Sequence, residues 1–179
     1  MLYVPKQYVF RAIGKLPRKL RLRLVRAASV TASMSAGCHV EHGGRILQVR
    51  AAYRDWFSIP GGLLARGEGP EAGAVREVRE EAGIDVVITG QPAVFFDPSD
   101  RRMEFIYPAR LADGVRPEDA HAASPEIAEL RWVSVEVAQA PEEDPQGFNR
   151  AMMHWLANGG GMMSSTPTPP DHGAPGGGG

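Results

Sequence analysis

The sequence predicts an α/β sandwich on a mixed sheet, and three observations carry that prediction. Strand-like runs recur between residues 30 and 134, helical segments are spaced irregularly among them, and one helix has both ends marked by proline and glycine. Irregular spacing argues against a doubly wound parallel sheet, where strands and helices alternate regularly.

The first element is a basic helix over residues 17–28, with Pro17 suited to its first turn and Leu16, Leu20, Leu24 and Ala28 recurring at i+4 as one apolar stripe. A strand-like run over 30–40 meets Gly43-Gly44, and 45–50 follows with Ile46, Leu47 and Val49, which together read as a hairpin. A short strand over 56–59 breaks at Pro60-Gly61-Gly62. A helix then spans 70–82, stopped by Gly83. Strands are expected over 85–89, 93–96, 103–111 and 129–134, and a last helix over 146–156. No internal repeat is visible.

Composition sets the boundaries of this fold. The 179 residues are 43% apolar and 23% charged, ordinary globular usage that excludes wholesale disorder. Aromatics at 7% argue against a stacking platform for single-stranded nucleic acid. A single cysteine, Cys38, excludes an internal disulfide and a multi-cysteine zinc site. Apolar stretches fall far short of a bilayer span, so a soluble, cytoplasmic protein without a membrane span is expected. Eight cations lie in the first 26 residues and the first acid is Glu41; net charge is −1 overall, so the remainder carries −9. Such an arm could touch nucleic acid or a membrane surface, or act as a transit peptide; the plainer reading is a basic surface helix. The last 21 residues hold eight glycines and four prolines, too little apolar surface to offset ordering entropy. Three segments are therefore expected: a basic arm over 1–28, a folded domain over 29–158 and a disordered tail over 159–179.

Chemistry concentrates in residues 62–84. At about 100° per residue Glu77, Glu80 and Glu81 share one face of the 70–82 helix, while Val75, Val78 and Ala82 gather on another. Like charges at i, i+4 oppose helix formation by a few tenths of a kcal/mol per pair, about 0.3. Taken alone, the glutamates read as a solvated acidic face paired with Arg76 and Arg79. The glycine turn before the helix changes that balance. Gly61 and Gly62 bring close backbone beside the carboxylates, Glu68 can reach back to Arg76 as a brace, and hard divalent cations take oxygen ligands. Glycine-rich backbone beside such carboxylates suits a diphosphate whose charge a cation offsets.

These residues resemble the signature of the Nudix (MutT-like) hydrolases at each defining position: Gly62, Glu68, Arg76, Glu77, Val78, Glu80, Glu81, Gly83 and Ile84. At ordinary residue frequencies that coincidence arises roughly once in a million chains. The flanks are similar too, with residues 45–50 before the loop and Arg131-Trp132-Val133 late in the chain; the resemblance covers about residues 31–156.

The resemblance implies a central mixed β-sheet between helices, an α/β/α sandwich, and cleavage of a nucleoside diphosphate linked to another moiety: ADP-ribose, a nucleotide sugar or a (d)NTP. It implies Mg²⁺ or Mn²⁺ held by Glu77, Glu80 and Glu81 with the carbonyl of Gly61, and a structural Glu68–Arg76 pair. It implies a further acid before the late strand, Glu126 in preference to Glu129, and a general base that is either Glu77 or that loop acid. Pro98 is similar to a downstream proline of ADP-ribose-cleaving members. Many members are homodimers, and no residue pattern here singles out an interface. Outside the signature, Arg50 and Arg54 are candidates to hold a phosphate beside Gly61 and Gly62. Tyr53, Trp56, Phe57, Phe95, Phe96 and Phe105 could stack on a base, but in such strands aromatics more often form core. Cys38, His39, Glu41 and His42 form a loose ligand group that strand alternation splits between two faces. The competing reading is a catalytically silent nucleotide-sensing or scaffold module on the same fold. Members of that kind commonly lose signature glutamates, whereas all four are present here.

Overall fold

A computed structural model describes residues 16–28, 31–97, 101–140, 143 and 148–163. Chain contacts divide it into two units, Met1–Ala32 and Ser33–Gly179. In the first, helix α1 (Arg18–Ala28) starts just after Pro17, whose carbonyl accepts the Leu20 and Arg21 N–H groups at 2.9 and 3.0 Å. Residues 1–15 of the basic arm, Pro98, and most of the 159–179 tail lie outside the described residues.

The second unit contains β1 (Ser33–His42), β2 (Arg45–Ala51), β3 (Gly61–Leu63), α2 (Pro70–Ala82), β4 (Val86–Ile88), β5 (Ala93–Asp97), β6 (Arg102–Leu111), β7 (Ile127–Ser134), α3 (Val135–Ala138), α4 (Phe148–Ala157) and β8 (Gly161–Met163). Its strands form one mixed sheet in the order β7-β2-β1-β6-β5-β8, with β3 pairing β1 and β4 pairing β6 beside this path. The two ten-residue strands β1 and β6 run parallel at the centre, and each shares its outer edge between two partners. β1 takes β3 over Ser35–Gly37 and then β2 at Glu41 and His42; β6 takes β5 up to Ile106 and then β4 from Ala109.

Strand alternation sorts the two faces. Ala36, Cys38 and Val40 of β1 and Tyr107, Ala109 and Leu111 of β6 pack on Ala74, Val78 and Ala82 of α2. Ile106, Ala93 and Phe95 face the other way, against Met152, Met153, Trp155 and Leu156 of α4. The expected α/β/α sandwich is thus present, with one helix on each side of the mixed sheet.

Four elements depart from the sequence reading. No strand forms over residues 56–59: Ser58 makes one bridge to Val49, because the chain then turns to hand the Pro60 carbonyl to the Cys38 N–H at 3.1 Å. The glycines expected as flexible turn backbone instead form β3 against β1. Val135–Ala138 is helical, started by Ser134, whose hydroxyl accepts the Val137 N–H. Gly161–Met163, assigned to the disordered tail, runs parallel to β5 in register with Ala93–Phe95, where the open edge of β5 satisfies its backbone groups.

Candidate active site

The site is assembled where α2 crosses β3. Pro70 opens the helix without forfeiting a hydrogen bond, and Gly83 closes it at φ 67°, donating its N–H to the Arg79 carbonyl at 3.1 Å. Ala74, Val78 and Ala82 have no accessible surface, so the sheet fixes the helix's rotation and turns its charged face toward Gly61 and Gly62.

β3 lies unusually close to β1. Gly37 and Gly61 are opposed without mutual hydrogen bonds, the narrow kind of antiparallel pair. A Cβ on Gly37 would lie 2.5 Å from the Pro60 carbonyl oxygen, and one on Gly61 would lie 2.8 Å from that of Ala36. This pairing directs the Gly61 N–H away from β1, where it donates to Glu81 Oε2 at 2.9 Å. Gly62 leaves room for a carboxylate: a Cβ there would sit 2.6 Å from Glu77 Oε1.

Arg76 is the hub of the charged face. Its Nε and Nη2 donate to the two oxygens of Glu68 at 2.8 and 2.9 Å, a bidentate pair, and Glu68 Oε2 also accepts the Ala65 N–H at 2.8 Å. Nη1 donates to Glu77 Oε1 and to Glu80 Oε2, both at 2.8 Å, and Nη2 also reaches the Leu63 carbonyl at 3.2 Å. Hydrogen bonds from Arg76 and the Ala65 N–H hold the Glu68 carboxyl down at about 2. The brace inferred from sequence is therefore present, and it fastens the loop to the helix.

Glu81 is in the opposite condition. Burial pushes its carboxyl up to about 7, with the neighbouring Glu77 and Glu126 charges adding to the rise, while the Gly61 N–H and Arg54 oppose it. Glu77 is raised by burial as well, against the pull of Arg76. Glu80 differs again, with 57% of its side chain exposed against 12% for Glu77.

The remaining candidates separate. Arg50 is engaged across β2 and β7, donating to Glu129 Oε2 at 2.9 Å, with its guanidinium 5.8 Å from the Phe57 ring. Arg54 sits 5.2 Å from the Tyr53 ring and 5.8 Å from that of Trp56, and it pulls on the Glu81 carboxylate. Glu126 is anchored by its backbone, whose carbonyl accepts the Ala52 N–H at 2.7 Å. Tyr53 and Trp56 are exposed rather than core, whereas Phe95 is buried. The group Cys38, His39, Glu41 and His42 does not converge: burial drives Cys38 up to about 12 and His39 down to about 4, and the other two are exposed. Open depressions of about 390 and 460 Å³ lie at His39–Pro108–Leu156 and at Arg45–Pro117–Trp132, away from the glutamates.

Sequence reasoning passed over two polar residues of the central strands, Ser35 and Glu104, because nothing in their local spacing marks them. They meet only through the β1–β6 pairing. Arg131 also escaped it as a side chain: it stacks 3.6 Å over the Phe57 ring and donates to the buried Gln48 Oε1.

The donor set suits a hard divalent cation. It is all oxygen, two of its carboxylates are held where ionisation is costly and a cation would relieve that cost, and the missing Cβ of Gly62 leaves space at Glu77. Among the described residues no three His, Cys, Asp or Glu side chains converge as a finished cage, since Arg76 draws Glu77 and Glu80 to itself. No described helix is long and apolar enough to cross a membrane.

Comparison with known proteins places this geometry in context. A model of the NUDIX domain matches residues 33–156. A "MutT-like protein" of Streptomyces ambofaciens is 30% identical over 99 residues, 55% of this chain and 61% of that protein. A "Putative 8-oxo-dGTP diphosphatase" of Bacillus subtilis (strain 168) is 30% identical over 90 residues, 50% of this chain and 58% of that one. The chain thus spans less than two thirds of either relative's length. The crystal structure of a NUDIX hydrolase from Nitrosomonas europaea superposes with a TM-score of 0.58 at 22% identity, covering 76% of this chain and 79% of that one.

Proposed function

The chain belongs to the Nudix hydrolase family, and on that premise we propose that it is a Mg²⁺- or Mn²⁺-dependent hydrolase. Its reaction is cleavage of the pyrophosphate linkage in a nucleoside diphosphate joined to another moiety, of ADP-ribose, nucleotide-sugar or (d)NTP type. The observation that carries this reading is the Glu81 carboxylate. It is pushed up to about 7 by burial, tied to the Gly61 N–H at 2.9 Å, and raised further by the charge of Glu77, whose carboxylate fills the space that glycine at position 62 leaves open. A buried carboxylate this costly to ionise is poised for a cation or a proton rather than for stability.

Glu77, Glu80 and Glu81, with the Gly61 carbonyl, are the proposed ligands; a bound divalent cation would neutralise diphosphate charge and acidify water. The protein's own groups do the rest. Arg76 and Glu68 hold the loop so that Gly61 and Gly62 face the diphosphate. Arg54, whose charge acts on Glu81 and which is free of a carboxylate ion pair among the described residues, is the better candidate for a phosphate oxygen, since Arg50 is held by Glu129. A carboxylate oxygen of Glu77 or Glu126 takes the proton from the water that attacks phosphorus in line. As that P–O bond forms, the bond to the bridging oxygen breaks and the second phosphate leaves.

The test is product release from ADP-ribose, nucleotide sugars and (d)NTPs with Mg²⁺, with products identified by mass. Two phosphate-bearing fragments, formed only with the cation present, are expected. Tight binding of a nucleotide with no product from any substrate would instead establish the silent sensing module.

A further inference from the structure

Helices shorter than about 12–15 residues are marginal in water, and in folded proteins a packed apolar face supplies the missing stability. Helix α1 has 11 residues, and its first two turns are open to solvent. Every residue from Pro17 to Arg23 is exposed, Leu20 by 44% and Leu22 by 40%. Its charges are open as well. Arg18, Lys19, Arg21 and Arg23 form no ion pair with an acid among the described residues. Four cations and two leucines thus fill the six positions 18–23, and the sequence holds no acid before Glu41.

Helical geometry sorts these side chains. At about 100° per residue, Arg23 and Lys19 lie about 60° and 100° to one side of Leu20, and Arg21 about 100° to the other. Arg18 and Leu22 fall about 160° away, on the far side. Arginine and lysine stems can lie along an apolar surface while their heads rise to a charged layer. Leucine flanked by cations is the pattern of a helix lying in the plane of a bilayer interface. Clusters of about four to eight Lys or Arg on such a helix recognise anionic lipid.

We propose that α1 is a docking element for an anionic lipid surface. Leu20, with the i+4 apolar line it belongs to, enters the boundary between headgroups and chains, and Lys19, Arg21 and Arg23 meet the lipid phosphates. Two observations favour lipid over nucleic acid, the other polyanion that suits a basic helix. A phosphate backbone offers an open leucine no apolar partner, whereas a bilayer does. The helix, RKLRLRLVRAA, also holds no Asn, Gln, Ser, Thr or aromatic residue to read a base edge or stack on a base. The chain after Arg26 carries −9 and is repelled by the same surface, so attachment rests on the basic arm and responds steeply to salt. None of this depends on the hydrolase reading, and an inactive protein would dock in the same way.

Co-sedimentation of the full chain with vesicles tests the proposal, in EDTA so that no divalent cation bridges acidic side chains to lipid. Phosphatidylcholine vesicles with about one third phosphatidylserine should pellet the protein, and pure phosphatidylcholine should leave it in solution. Raising the salt from about 0.1 to about 0.5 M should release it. Arg21→Gln together with Arg23→Gln should weaken binding about 20-fold, at roughly fivefold for each cation. Leu20→Ala keeps helix propensity while removing apolar area, and should weaken binding about fivefold. Leu22→Ala removes the same area from the far side and should change binding by less than about twofold. Melting temperatures equal to the wild type show that the variants are folded. No pelleting, pelleting by neutral vesicles alone, or equal losses from Leu20→Ala and Leu22→Ala would overturn the proposal. Tighter binding to a short RNA duplex than to the anionic vesicles would overturn it too, and would assign the helix to nucleic acid.

Discussion

Glu68 and Glu81 are the same residue type at the two ends of one short stretch of chain, and the protein treats them in opposite ways. Glu68 has every charge-stabilising contact available: two bonds from Arg76 and one from the Ala65 N–H, which hold it down at about 2. Glu81 has one backbone N–H and an acidic neighbourhood, and burial pushes it up to about 7. The first arrangement satisfies a carboxylate and so fixes a loop; the second leaves one unsatisfied and so keeps it available. The four glutamates are thus held in two ways, and Arg76 separates them by taking Glu68, Glu77 and Glu80 while Glu81 stays out of its reach.

The largest expected effect breaks the pair on its reactive side. Glu81→Gln should lower cation-dependent kcat/KM on the order of 10³-fold, with a melting temperature equal to or above the wild type, because a neutral amide still accepts the Gly61 N–H and removes a buried charge. Steady-state kinetics beside a thermal melt checks both halves. Near-full activity would reassign Glu81 to architecture.

The next break is on the structural side. Arg76→Ala leaves three carboxylates without their shared cation, and urea unfolding should report a loss of about 2 kcal/mol, between the values for exposed and buried pairs. Arg76→Lys should recover only part of it, since an ammonium cannot make the bidentate contact to Glu68. A loss below about 0.5 kcal/mol would mean the hub holds nothing together.

The smallest effect sharpens the comparison through pH. Glu68 is depressed, so its contribution is complete above the ordinary carboxylate value near 4.5 and fades as pH falls toward about 2. Glu81 is raised, so the folded state binds the extra proton and its cost grows as pH climbs from near 4.5 to about 7, then stays constant. From these two groups, stability should peak close to pH 4.5–5. Added Mg²⁺ should raise the melting temperature by more at pH 8 than at pH 5.5, because at the lower pH it competes with a bound proton. Equal shifts at the two pH values would remove Glu81 from the cation site.

Legibility followed the range of the interactions involved. Helix α2 is fully readable because its signals are local: Pro70 at the first position, Gly83 at the cap, and an apolar stripe at Ala74, Val78 and Ala82. The Glu68–Arg76 pair is readable too, since eight residues separate its partners. Residues 56–59 were misread because their β-rich composition cannot reveal that Ser58 finds one partner, Val49, before the chain turns to serve Cys38. Arg50 reads as a free cation in sequence and is bound to Glu129, 79 residues away. Tyr53 and Trp56 read as core and lie at the surface.

By itself the sequence determined the identity and spacing of the acidic and glycine residues, the ends of the helix that carries them, and the family they belong to. All of these depend on contacts within a turn or two of chain. Only the tertiary structure decided which carboxylate is satisfied and which is left waiting, and that Ser35 and Glu104 are register partners on the two central strands. Burial and strand register fix those outcomes, and both arise from segments that meet only after the central strands β1 and β6 have paired.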